Sequence, residues 1–292
     1  MKYSSRFFLW APLVLLLTLA ALAMIHWWID ASALSKRLDA VNGHEIMPGV
    51  RVSFSQKRIA GFPFRLDVIL KNLRVEVREV DGPVVWTTQD FAMHALTYGR
   101  VQAIFEAAGP QTLSWRDARG AAHRFTFLPG SFRASAIVHG GKLERFDSDI
   151  VDLDGADFRA ADAQFHFRIR GEAIDTFVKL QRAHVSGGYA AALGPDIDEL
   201  TAKGSLDRAS TLDRLLRGLE SPSDALDAWR AQGVLGVSDF SFVWKQQRLP
   251  VRGHLTLDAH NNLSGALRGG SRPTLTFQGN RIILTGSGFG RP

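Results

Sequence analysis

Nine histidines and one dense acidic run, Asp147-Ser-Asp-Ile-Val-Asp-Leu-Asp-Gly155, are the residues whose types could hold a metal or move protons. Metal-ligating histidines occur at fixed spacings such as H-E-x-x-H or H-x-H, and the chain has neither. His254 and His260 fall in a strand and a turn with no acid between them at ligand spacing. Each histidine reads as a polar side chain on the wet face of a strand, most clearly His166 between Phe165 and Phe167. The acidic run resembles a calcium loop until it is aligned. With Asp152, Asp154 and Gly155 on the D-x-D-x-D-G pattern, Ile150 takes the first ligand position and Ala161 stands where a bidentate Glu belongs. A strand with outward aspartates, closed by an Asp-Gly turn, accounts for it better. There is no G-x-S-x-G elbow, no Walker A loop and no dinucleotide fingerprint, and Gly286-Ser-Gly-Phe-Gly290 reads as a tail. The chain has no cysteine, which excludes disulfides, thiolate nucleophiles, Cys-ligated zinc and a lipidated N-terminal Cys. The expectation is a non-enzymatic protein with no catalytic residue, no metal and no cofactor.

The elements that would position any site begin with a membrane segment. Phe7 to Ile29 is almost wholly apolar, interrupted by Pro12, Thr18 and His26, and at about 1.5 Å per residue it spans a bilayer core of roughly 30 Å. Lys2 and Arg6 precede it, so the positive-inside bias keeps the N-terminus cytoplasmic and exports everything after Asp30. Ala21-Leu22-Ala23 offers a signal-peptidase-like site, but the run continues past it to Trp27-Trp28, a pair suited to a membrane interface, and this favours a retained single-pass anchor. The net charge of +6 carries no lysine run and no Arg-rich arm with interleaved aromatics, so no nucleic-acid partner is expected.

Leu34, Leu38 and Val41 continue the helical period as a stalk, stopped by Asn42-Gly43. From Gly49 onward the period is two. Ala163, Phe165, Phe167 and Ile169 alternate with polar residues, and Asn261-Asn262 and Gly279-Asn280 mark hairpin turns. Two strands change phase: Leu66, Val68 and Leu70 give way to Leu73, Val75 and Val77 near Lys71-Asn72, and Leu235 and Val237 give way to Phe240, Phe242 and Trp244 at Ser238-Asp239. An extra residue at each switch would keep one apolar face and bend the sheet. Leu212, Leu215, Leu216 and Leu219 share a helical face, and Ser221-Pro222 starts a second helix through Trp229, closed by Gly233. The fold class is α+β, mainly β: an N-terminal transmembrane helix, then a curved, elongated antiparallel sheet with a short helical insertion. Residues 1–30 would be the cytoplasmic tip and anchor, 31–48 the stalk helix and turn, and 49–292 one β-rich periplasmic domain with the insertion at about 208–233.

The stretch Gly61-Phe-Pro-Phe-Arg65 opens the first long strand. It reads either as a core corner, two rings capping the sheet, or as the end of an apolar groove lined by Phe62, Phe64, Leu66, Val68, Phe165, Phe167, Phe240 and Phe242. In both readings Phe64 lies in apolar surroundings, and Phe64→Ser is expected to cost roughly 3–5 kcal/mol.

This turn, the segment Ala228-Trp-Arg-Ala-Gln-Gly233, the run Gly253-His-Leu-Thr-Leu-Asp-Ala259 and Ser264-Gly-Ala-Leu267, together with the N-terminal helix, resemble a bacterial family known as domain of unknown function 2125. The resemblance carries no activity. The β-rich, membrane-tethered design is more loosely similar to AsmA-like envelope proteins, which implies an inner-membrane, periplasmic location and a lipid or other apolar ligand in a sheet groove. A sheet of this length is too short to bridge the periplasm alone. The alternative is an envelope scaffold whose partners are proteins, docked on an exposed surface or sheet edge.

Overall fold

The computed structural model describes residues 5–96, 102–117, 120–186, 195–244, 247–259, 261–269, 274–278 and 281–285. His260, the Gly279-Asn280 turn and the Gly286–Gly290 tail lie outside these residues.

A single continuous helix, α1 (Ser5–Val41), joins the apolar segment to the stalk and ends before Gly43, whose φ is +79°. By length and composition it can cross a membrane, and the described part of its apolar stretch is exposed on all sides.

The strands follow in short and then long runs: β1 (His44–Met47), β2 (Val50–Ser53), β3 (Gln56–Ala60), β4 (Arg65–Val77), β5 (Val84–Leu96), β6 (Gln102–Arg116), β7 (Ala122–His139) and β8 (Lys142–Gly155). Then come β9 (Phe158–Arg170), β10 (Ala173–Val185), β11 (Asp196–Leu206), β12 (Leu235–Trp244), β13 (Gln247–Leu257), β14 (Leu263–Arg268), β15 (Thr274–Gln278) and β16 (Arg281–Thr285). All belong to one open antiparallel sheet in which neighbours follow chain order, except that β2 and β3 share one edge of β4. The strands are joined as hairpins, as the period-two pattern with its turn signals leads one to expect.

The insertion is shorter in helix than the leucine spacing implies. A 3-10 turn (Ala209–Leu212) runs into the single turn α2 (Asp213–Leu216), and Leu219 lies past its end, 55% exposed, instead of on a buried face. The second helix, α3 (Pro222–Arg230), forms as expected, with the Ser221 hydroxyl accepting the Asp224 N–H at 3.1 Å as its N-cap.

The phase changes are real and wider than the two visible in sequence. At Asn72 the backbone turns left-handed, φ +51°, and the apolar face passes from Leu70 to Leu73, but without the expected extra residue: Lys71 and Leu73 keep one register against Asp90 and Thr88, so the left-handed residue itself changes the phase. The same change occurs on alternate strands: at Gly109 (φ +77°) in β6, Asp152 (φ +51°) in β8 and Arg182 (φ +45°) in β10. Register aligns these positions in one crease across the sheet. Glycine suits this position because φ +77° is costly for a residue with a Cβ. The Ser238-Asp239 switch gives the expected register shift between β12 and β13.

Such a sheet coils. Val77 lies in register with Val84, Trp115 and His123, at the opposite end of β7 from the Gly140 turn, so in a flat sheet the two ends would be about 55 Å apart at 3.3 Å per residue. Yet the insertion touches both. Arg217 donates to Gly140 O at 3.2 Å and Lys142 pairs with Asp213 at 2.6 Å, while Gly49, next to the β2–β4 end, is so near Ser221 that a Cβ would lie 3.0 Å from the serine Cβ. The four residue steps from Arg217 to Ser221 reach at most about 14 Å. The sheet must therefore curl until its distal early strands meet the proximal turns of its middle strands, with α2 and α3 spanning the gap.

Curling also explains burial in a single layer. Leu267 (0% exposed), Leu275 (1%) and Phe242 (1%) form a core with Val251 and Leu255 in which, among the described residues, no helix residue takes part. At the other end, the core of Phe54, Val68, Leu70 and Leu73 is closed by Leu34 and Leu38 of α1. Truncating Leu267→Ala should lower stability by about 2–5 kcal/mol, whereas Phe64→Ser should cost much less, both measured by denaturant unfolding of the full chain.

Candidate functional site

Register places apolar side chains of neighbouring strands directly opposite one another on one face. Reading across from β4, Val68 faces Met93, Met93 faces Phe105, Phe105 faces Ala134, Ala134 faces Ser148, and Ser148 faces Phe165. The row continues through Val178, Ala202, Phe240 and Val251. A parallel row runs Leu66, Ala95, Ala103, Ala136, Phe146, Phe167. Rings pack along the strip: Phe91 stacks on Phe105 at 6.1 Å, Phe146 on Phe167 at 6.0 Å, and Phe165 touches both Phe146 and Phe167.

Six of the eight residues named from sequence, Leu66, Val68, Phe165, Phe167, Phe240 and Phe242, thus share this face. They are not equally open. Val68 is covered by α1 and its neighbours, and Phe242 by the curled C-terminal strands. Phe165 is 38% exposed and Phe105, Phe146, Phe167 and Val178 are half-buried, so the open part of the strip lies over β6 to β10. Sequence reasoning omitted Phe105, Phe132 and Phe146, although Ala103-x-Phe105-x-Ala107 carried the same alternation.

Phe62 and Phe64 are elsewhere. The core-corner reading is overturned: the rings are 51% and 61% exposed and do not cap the sheet as core. Gly61 does make the tight turn, with φ +96°, and the Phe62–Pro63 peptide is cis. Phe62 meets Trp27 edge-on at 5.6 Å, and the Trp27 indole N–H donates to Arg65 O at 2.8 Å.

The opposite face is built from ion pairs. On β4 and β5, Asp67 Oδ1 lies 2.7 Å from His94 Nδ1 and Asp67 Oδ2 accepts from Arg65 at 2.6 Å. The same unit recurs on β8 and β9, where Asp147 lies 2.7 Å from both His166 and Arg145. Partial burial raises the proton affinity of each carboxyl, but hydrogen bonds from the histidine and arginine and their charge outweigh it, so both aspartates are held below the ordinary carboxylate range. The second unit lines a shallow depression of about 470 Å³ with Arg168, Phe177 and Lys203. Nearby, Asp162 is pushed up by burial and then by the hydrogen bond and charge of Asp149. His94 and His166 pair through Nδ1 with Asp67 and Asp147, and among the described residues no group of three or more His, Asp or Glu side chains is placed to hold a metal. These units tie adjacent strands together.

Comparison with known proteins bears on the whole of this architecture. A family model described as an uncharacterized protein conserved in bacteria (DUF2125) matches residues 27–269. The chain belongs to that family. In this DUF2125 chain the match starts at Trp27, the residue that docks α1 on the sheet, and runs through β14. No curated protein and no solved structure matches it.

A carboxyl held low in the folded state contributes stability that is present above its unfolded-state value, about 3.9, and is lost as pH falls below it. Thermal unfolding across that range should show the loss, and Asp67→Asn should reduce stability at neutral pH while shrinking the acid-dependent part.

Proposed function

We propose that this is a non-enzymatic bacterial envelope protein, held in the inner membrane by α1 with its sheet in the periplasm, that binds or shields a lipid-like molecule on the apolar strip over β6 to β10. The observation that carries this reading is the strip itself. It is continuous in register through the middle of the sheet, closed by protein at both ends, and half-exposed between them, with Phe165 at 38%. A single layer must cover its apolar face with helices, with itself or with a ligand, and here the first two account for the ends.

The apolar helix able to cross a membrane supports the anchor, and its continuation into a stalk packed on β4 supports retention, since cleavage near Ala23 would cut within four residues of Trp27, whose indole holds Arg65 O.

Adjacent residues on opposite faces allow a direct test. Photo-crosslinking in living cells from Phe165→p-benzoylphenylalanine should capture acyl-labelled lipid, while the same substitution at His166 should not. Protein adducts from Phe165 alone would favour the envelope scaffold, and equal lipid capture from both positions would contradict a face-specific site.

A further inference from the structure

Two large rings stand exposed on one tight turn, Phe62 and Phe64, and that turn is fixed to the apolar helix. Trp27 grips it twice, by the edge-on contact with Phe62 at 5.6 Å and by the hydrogen bond to Arg65 O at 2.8 Å. Trp28, the next residue, is 66% exposed. The Trp pair closes the apolar run, where indoles favour the membrane–water boundary. From there α1 and β4 run side by side. About 16 Å of helix from Trp27 to Leu38 matches about 17 Å of strand from Arg65 to Leu70, and Lys57, paired in register with Leu70, donates to Ser35 O at 2.6 Å. The turn therefore sits at the level of the tryptophans and not out in solvent. Leu96, opposite Arg65 in register and 44% exposed, adds a third apolar side chain at this end. Arg65, at the end of the turn, is exposed and pairs with Asp67, which leaves guanidinium N–H groups suited to a lipid phosphate.

We propose that the Phe62-Pro63-Phe64 turn inserts into the headgroup and upper acyl region of the bilayer that α1 crosses, making a second membrane contact beside the helix. It rests on the reading of α1 as a retained anchor. The consequence is orientation: β4 stands along the helix axis, and the Leu66 end of the apolar strip meets the lipid surface.

The absence of native cysteine permits single-site labelling. The full-length chain carrying Phe64→Cys, Val80→Cys or Leu17→Cys is coupled to an environment-sensitive NBD fluorophore and reconstituted in phosphatidylcholine vesicles with or without doxyl-labelled lipid. All three side chains are exposed, so the fold tolerates the label. The Leu17 label reports the helix itself, and the Val80 label reports the far end of β4. The Phe64 label should shift to the blue and lose emission with doxyl lipid, as at Leu17, while the Val80 label keeps its aqueous emission. A Phe64 label that stays aqueous beside a quenched Leu17 label overturns the insertion and leaves the anchor standing. If the Leu17 label is also unquenched, the anchor reading fails and the insertion fails with it.

Discussion

Apolar side chains on one face of a single-layer sheet must leave water, and this constraint shapes the whole molecule. With no second sheet to pack against, the layer covers its own face by coiling. The crease through Asn72, Gly109, Asp152 and Arg182 lets each strand change side-chain phase without losing the apolar face, and the left-handed residues there bend the strands together. The C-terminal strands curl far enough to bury Leu267 and Leu275 completely, and the stalk of α1 lies across the first long strand. Between these closed ends the strip is left half-covered, and that gap is where a ligand would find apolar area to bury.

The opposite face solves a different problem. Strands exposed to water on one side need cross-strand partners, and the Arg-x-Asp units with a histidine on the neighbouring strand supply them twice. Each unit ties its two strands together through a carboxylate shared between the arginine and the histidine. The recurrence of one unit on β4–β5 and again on β8–β9 fits a sheet extended hairpin by hairpin.

Much of this was legible in the sequence. Alternation around Phe165 and Phe167 marked the apolar face, and the switch from Leu70 to Leu73 marked the crease, because Asn72 interrupts two clean runs of period two. The switches at Asp152 and Arg182 were harder to see, as the flanking residues mix apolar and charged side chains. Register brought Leu66, Val68, Phe165, Phe167, Phe240 and Phe242 to one face, which parity within each strand could only imply. Which of them stay open depends on what α1 and the coil cover, a long-range outcome that local pattern does not encode. Phe64 shows the same limit: an aromatic ring before an apolar strand looks like core, and only the contact between Phe62 and Trp27 reveals that the turn faces the helix and its surroundings.

The central claim is that the open strip holds an apolar molecule. The most direct measurement is native mass spectrometry with lipid extraction on residues 27–292, which keep Trp27 and its contacts, exported to a bacterial periplasm, purified without detergent and checked for strand content by circular dichroism. The account predicts a bound apolar species of reproducible mass that disappears in the folded Phe146→Arg, Phe165→Arg double variant. A folded protein of bare polypeptide mass, with no extractable lipid, would contradict it.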